Sequence, residues 1–271
     1  MEITVSRDPE QIAARGADII AQHVADKPAT VLGLATGSSP LRIYRELGER
    51  VAAGRLSLRE CHAFLLDEYL DLPSGHPEAY RAVIERDFVR LVDIDPAHVH
   101  GPDCTTADPV AGCAAYEELI AARGGVDVQL LGVGGNGHIA FNEPGSPFAS
   151  RTREMMLTEQ TRLDNARFFG DDVDAVPQRC LTQGVGTILE ARHLLLIATG
   201  EHKAQAVRAL VEGPVSDACP VTALQQHPHV TVLLDDAAAS LLQPQEHDLP
   251  GDLRRYHRHR ACPPAQSGVL R

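Results

Sequence analysis

"VDVQLLGVGGNGHIAFNEPGSP", residues 126–147, decides how this chain folds. Its first part is an apolar, β-branched run ending in glycine, the pattern of a buried parallel strand. The next letters, "GVGGNG" (132–137), fit the dinucleotide-binding pattern G-x-G-x-x-G. That fingerprint works only where a helix starts directly behind the glycines, because the helix N-terminus holds the pyrophosphate. Here "HIAFNEPGSP" (138–147) follows, and Pro144, Gly145 and Pro147 stop any helix within about two turns. The stretch is therefore a strand leading into a loop, and its match to the nucleotide pattern is accidental.

Outward from it, four further runs read as buried strands: "ATVLGLA" (29–35), "CHAFLLDEY" (61–69), "RHLLLIATG" (192–200) and "HVTVLLDD" (229–236). Between them lie helical patterns. "PLRIYRELGERVAAG" (40–54) starts with Pro and stops at Gly, and "EAYRAVIERDFVRLV" (78–92), "VAGCAAYEELIAARGG" (110–125) and "EHKAQAVRALVEG" (201–213) behave alike. The N-terminus adds a short alternating strand and an amphipathic helix. Strands alternating with helices predict an α/β fold: three layers, with a mostly parallel, Rossmann-like sheet covered by helices on both faces. Residues 1–242 are expected to form one such domain. Residues 243–271 lack a strong apolar period and carry Pro, Gly and clustered Arg and His, so a flexible tail is expected, with a basic interaction segment as the alternative.

Composition narrows the function. A net charge of −12, scarce aromatics and no Trp argue against a nucleic-acid partner, which needs basic surface and stacking platforms. The start lacks the basic and apolar parts of a signal peptide, and no apolar run reaches the ~18–20 residues of a membrane span. A soluble, cytoplasmic protein is expected. The six cysteines form no C-x-x-C pair and read as reduced thiols. The H-x-H pairs at 98/100, 227/229 and 257/259 lack the companions of a metal site, so no metal is expected.

Ligands of parallel sheets gather at the carboxyl ends of the strands, so the residues there carry the chemistry. "ATGSSP" (35–40) runs into the Pro40 helix, where free N–H groups and the hydroxyls of Thr36, Ser38 and Ser39 suit an anion; a plain capped turn would look similar. "LLDEY" (65–69) puts Asp67 and Glu68 at a strand end, either as a solvated acidic turn or as a carboxylate base whose pKa burial would raise. In the opening stretch, Asn136, His138 and Glu143 stand together. A lone His is usually structural, but imidazole moves protons near neutral pH and a carboxylate can orient it. No G-x-S-x-G elbow supports a serine hydrolase.

Taken together, "LLDEY", "GNGHIAFNEPG", "SRTR", "NARFF" and "LTQGVGTIL" resemble the glucosamine-6-phosphate deaminases, in the family's order, from about residue 30 to about residue 235. 6-Phosphogluconolactonases share that fold, so fold alone does not settle the reaction. The resemblance implies an enzyme converting glucosamine 6-phosphate and water to fructose 6-phosphate and ammonia, without metal or organic cofactor. It implies that Asp67 moves the proton between C2 and C1, and that His138, with Glu143 and Asn136, assists ring opening. Thr36, Gly37, Ser38, Ser39, Arg167 and Lys203 would hold the phosphate, and the glycines would let the sugar lie against the backbone. Relatives range from monomers to hexamers, so a homo-oligomer is compatible.

Two departures stand out. Asn136 replaces an Asp found in some members; it can orient His138 but not share its charge. Allosterically activated members carry a Lys two residues beyond the second Arg of "SRTR", where this chain has Met155, which implies weak or absent activation by N-acetylglucosamine 6-phosphate. The polar, interrupted segment 157–180 is expected to be a lid that carries Arg167. A lactonase would need His138 but has no use for "LLDEY" or "FNEP", and a silent sugar-phosphate sensor would need no chemically competent residues at these positions.

Overall fold

The computed structural model describes residues 1–73, 75–243 and the backbone of 253–257. The chain opens with β1 (Glu2–Ser6) and α1 (Pro9–Asp26). The Asp8 side chain caps α1 by accepting from Glu10 N at 2.9 Å, and Pro9 stands in the first turn, where no N–H is needed. Then come β2 (Val31–Leu34), α2 (Leu41–Ala52), β3 (His62–Leu65), β4 (Asp67–Tyr69), α3 (Tyr80–Asp87), β5 (Val99–His100), α4 (Pro109–Ala122) and β6 (Val128–Leu131). The second half holds β7 (Arg153–Met156), α5 (Glu159–Ala166), β8 (Arg179–Thr182), α6 (Val185–Leu189), β9 (His193–Ala198), α7 (Ala204–Glu212), β10 (Val230–Asp235) and β11 (Leu253–His257).

The main sheet has the order β11-β1-β10-β9-β6-β2-β3-β5, all parallel except β11. Alternate residues of each strand feed two cores. Leu194 and Leu196 pack with Ile120 of α4, Ile188 of α6 and Leu210 of α7. Leu195 and Ile197 pack on the opposite face with Ile20 of α1, Leu47 of α2 and Ile84 of α3. This is the expected three-layer α/β architecture.

Strand order reverses between β2 and β6. From β2 the chain runs outward through β3 to β5, then returns to the other side of β2. The loops after β2 and β6 therefore diverge and leave a crevice at their carboxyl ends, the place where such sheets bind ligands.

The run 61–69, expected as one strand, is two. β3 stops at Leu65, where its neighbours β2 and β5 also end. Past that edge the backbone groups need other partners. Leu66 O accepts from Gln183 N at 2.7 Å, Leu70 N donates to Arg179 O at 2.9 Å, and β4 pairs antiparallel with β8. With β7 these form a second, three-stranded sheet, β4-β8-β7, which the sequence reading missed. It lays Asp67 across the carboxyl end of the main sheet.

The expected tail is corrected in part. Residues 253–257 form β11, hydrogen-bonded antiparallel to β1, where they cover an edge whose N–H and C=O groups would otherwise be open. The remainder of that expectation, residues 244–252 and 258–271, lies outside the described residues. Cys61, Cys104, Cys113, Cys180 and Cys219 are free thiols, and Cys262 is outside the described residues. No helix of the described residues is long and apolar enough to cross a membrane.

Candidate active site

The loop after β6 is shaped around an imidazole. Gly134 N donates to His138 O at 2.9 Å, Gly137 N donates to Gly134 O at 2.9 Å, and Gly137 takes φ +86°, a conformation that favours glycine. A Cβ at residue 134 would stand 2.2 Å from the His138 ring, and one at residue 137 would stand 2.3 Å from Cys219 Sγ. These two glycines make room for the protein's own side chains, which corrects the expectation that they admit the sugar. No helix follows them, as the prolines predict.

His138, Glu143 and Asn136 form one cluster. His138 Nδ1 lies 3.8 Å from Glu143 Oε2, a distance for charge attraction rather than a hydrogen bond, and that nitrogen has no hydrogen-bond partner. Glu143 is itself held: Asn136 Nδ2 donates to Oε2 at 3.0 Å, and the hydroxyls of Thr158 (3.1 Å) and Thr161 donate to Oε1. Asn136 Oδ1 also accepts from His138 N at 3.1 Å. So Asn136 orients the His138 backbone and the Glu143 carboxylate, not the ring. Burial holds the His138 pKa below its usual value; Glu143 and Asp164 oppose that, while Lys203 adds to it. A neutral imidazole of this kind can accept one proton and deliver it elsewhere.

Asp67 is 6% exposed, and its carboxylate accepts no hydrogen bond from a described residue. Burial first, then the neighbouring Glu68, raises its pKa well above the ordinary carboxylate value. Glu68, its partner in "DEY", is a different device. Its carboxylate accepts from Tyr69 N (2.8 Å), Tyr80 N (2.8 Å) and Arg81 N (2.7 Å), so it satisfies the open N-terminus of α3. The solvated acidic turn is thus excluded: both acids are buried.

The elements tie Asp67 to the His138 loop. Asp67 stands opposite Thr182 in the β4–β8 ladder, and Thr182 Oγ1 accepts from Phe141 N at 3.2 Å. Asn142 Nδ2 donates to Gln183 O at 2.8 Å. β8 therefore straps "HIAFNE" beside the strand that carries Asp67.

The anion side lies at the ends of β2 and β9. α2 begins at Leu41 with Pro40 as its cap residue and no capping side chain, which leaves its first N–H groups without a side-chain acceptor. Gly37 has φ +92° with open space beside it. Ser38, Ser39, Arg42, Thr199, Gly200 and His202 are among the residues lining a cleft of about 390 Å³. The Thr36 side chain lies near Tyr80. Lys203 follows His202, and burial together with the Arg167 charge lowers its pKa, partly offset by Asp164. Arg167 ends α5, exposed, with its guanidinium 4.7 Å from the Phe168 ring centre. Two cations without ion-pair partners among the described residues thus share one corner of the site. Among the described residues no group of three or more His, Cys, Asp or Glu could hold a metal ion.

Segment 157–180 folds on itself. Arg162 donates to Val173 O (2.6 Å) and Val176 O (3.3 Å), and Leu157, Ala166 and Val176 pack onto Tyr69 and Phe141. The sequence reading missed Glu68 as a cap, the two threonines on Glu143, and the tyrosines. Only the acid some twelve residues before a helix start signalled any of them.

Comparison with known proteins places these features among relatives. A family model described as glucosamine-6-phosphate isomerases/6-phosphogluconolactonase matches residues 7–233. A glucosamine-6-phosphate deaminase of Mycolicibacterium smegmatis is 59% identical over 243 residues, 90% of this chain and 93% of that one. A solved structure of a monomeric glucosamine-6-phosphate deaminase superposes with TM-score 0.86 at 42% identity, covering 89% of this chain and 100% of the other. 6-Phosphogluconolactonase from Trypanosoma brucei superposes with TM-score 0.72 at 22% identity, covering 89% and 98%, a likeness of fold alone.

Proposed function

The chain belongs to the family of glucosamine-6-phosphate isomerases and 6-phosphogluconolactonases, and we propose that within it the chain is a glucosamine-6-phosphate deaminase. The observation that carries this reading is Asp67, a buried carboxyl with a raised pKa and no hydrogen-bond partner among the described residues, opposite Thr182 of β8, whose hydroxyl accepts from Phe141 N in the loop between His138 and Glu143. A lactonase has no carbon-bound proton to move and no use for such a base.

The reaction follows from these groups. Neutral His138 accepts the proton of the anomeric hydroxyl and returns one to the ring oxygen, opening the pyranose; Glu143 stabilises the transient imidazolium. Asp67, ionised, takes the proton from C2 as the enolamine forms. Protonated Asp67 exchanges its proton with solvent and then protonates C1, which leaves a ketimine at C2. Water adds to the ketimine carbon and ammonia departs, giving fructose 6-phosphate. Correct placement of such a base contributes about 10²–10⁴-fold. Thr36, Gly37, Ser38, Ser39, Arg167 and Lys203 hold the phosphate away from the reacting carbons and anchor the sugar. Segment 157–180 acts as the lid that brings Arg167 in.

No cofactor enters this sequence of proton transfers. The enzyme works in the cytoplasm on free sugar phosphate in amino-sugar breakdown, without a nucleic-acid partner. The test is product identity. Glucosamine 6-phosphate should yield ammonia and fructose 6-phosphate one for one, and 6-phosphogluconolactone should yield no acid above its spontaneous rate. Lactone hydrolysis without ammonia would reverse the assignment.

A further inference from the structure

Two tyrosines that the proton transfers do not use lie where three segments of the site meet. Asn165 Nδ2, in α5 of the lid, donates to Tyr69 Oη at 2.9 Å. The Tyr80 hydroxyl donates to the same oxygen at 3.2 Å, and the Thr36 side chain of the loop after β2 lies near Tyr80. This path of hydrogen bonds runs from the lid through β4 to α3, beside the loop after β2. Its middle is rigid. Tyr69 is buried, and the Glu68 carboxylate ties the backbone N–H groups of both tyrosines together. The rings pack as well: Tyr69 on Tyr80 (4.7 Å between ring centres), both on Phe141, and Phe169 of the lid edge-on against Tyr69 at 5.8 Å. Arg167 lies two residues beyond Asn165.

We propose that the hydroxyls of Tyr69 and Tyr80 are a latch, positioning groups that lock lid helix α5 to β4 and α3 beside the phosphate loop. Arg167 and residues 36–39 then close on one phosphate as a unit. The proposal rests on the reading of this site as a sugar-phosphate site with a moving lid. Its reason is geometric. A cation at the end of a mobile helix holds an anion firmly only if the helix is fixed relative to the other donors, and each hydroxyl bond across the join supplies part of that fixation. The latch hydroxyls hydrogen-bond to neither Asp67 nor His138, so the latch bears on substrate holding more than on the chemical step.

The test uses Tyr69→Phe and Tyr80→Phe, which keep the ring packing and delete one oxygen each. Loss of one hydrogen bond's net contribution should raise KM for glucosamine 6-phosphate about 2- to 12-fold, with kcat within about threefold of the parent. Asn165→Ala should do the same, and Asn165→Ala combined with Tyr69→Phe should be no worse than the worse single change, because both remove one shared bond. Trypsin cleavage at Arg162 and Arg167 gives a readout independent of turnover: fructose 6-phosphate should slow it in the parent and protect the Phe variants less at the same concentration. Unchanged KM and full protection in Tyr69→Phe would overturn the latch, as would kcat falling in step with Tm while KM stays fixed. If the parent chain released no ammonia, the functional reading would fail, and inorganic phosphate in the trypsin experiment would still decide the latch by the same loss or retention of protection.

Discussion

Asp67 shows how one residue sets function against stability. Its unfolded pKa is that of an ordinary carboxyl, about 3.9, and its folded pKa is raised by burial and by Glu68. Above the folded pKa the fold carries a desolvated charge and is destabilised in full. As pH falls through that pKa the buried acid takes up its proton and the cost is relieved, and below about 3.9 both states are protonated and no difference remains. Asp67→Asn should therefore melt several degrees higher than the parent at pH 8, at about 2–4 °C for each kcal/mol in a chain of this size. The gain should shrink steadily as pH is lowered to 4, as followed by thermal melts. A variant less stable at pH 8 would mean that the carboxylate is paired, not stranded. The same ionisation governs the acid side of catalysis: the base must be charged, so kcat/KM should fall at a higher pH than an unperturbed aspartate would dictate. The residues proposed for the chemistry were legible in the chain as candidates, because Asp67, His138 and Glu143 stand at strand ends within short motifs. Glu68 was not, since two of its three N–H partners, Tyr80 and Arg81, come from a helix start that only the folded backbone brings beneath it.

At the scale of elements, what was legible follows the range of the interactions that fix it. The strands of the central sheet and the helices around them announce themselves by apolar period, Pro starts and Gly stops, which are local signals. The β4-β8-β7 sheet does not, for its strands are three or four residues long and β7 alternates between partly buried and exposed positions. Its existence depends on β3 running out of neighbours. That small sheet also bears on the expected lack of allosteric activation. In β7, Arg153 donates to Asn142 Oδ1 at 2.9 Å and to Ser146 Oγ at 3.3 Å, while Met155 packs against the cluster of Tyr69, Phe141, Leu157 and Cys180. The position that carries a Lys in activated relatives thus serves an apolar core here. Initial rates plotted against glucosamine 6-phosphate should trace the same hyperbola with and without N-acetylglucosamine 6-phosphate. A sigmoid curve that the effector makes hyperbolic would show that Arg153 and its neighbours suffice for activation.

Across the whole molecule, the reversal of strand order between β2 and β6 opens the crevice, and the residues proposed for catalysis stand on its rim. The phosphate loop follows β2, the imidazole loop follows β6, Lys203 follows β9, and β4 crosses the mouth with Asp67. Parallel order and two-sided burial were expected from the alternation of strands and helices. The pairing of β11 with β1 was not, because residues 253–257 carry no strong apolar period and backbone pairing leaves no mark on the sequence. The proposed chemistry rests on one act: a single carboxylate, Asp67, takes a proton from C2 and delivers one to C1. The direct measurement is turnover of glucosamine 6-phosphate in D₂O by the parent and by Asp67→Asn, with deuterium at C1 of fructose 6-phosphate read by NMR. The parent should release ammonia and place solvent deuterium at C1, whereas Asp67→Asn should do neither while still binding the sugar phosphate within a few-fold. Ammonia release and C1 labelling at near-parent rates in Asp67→Asn would contradict it.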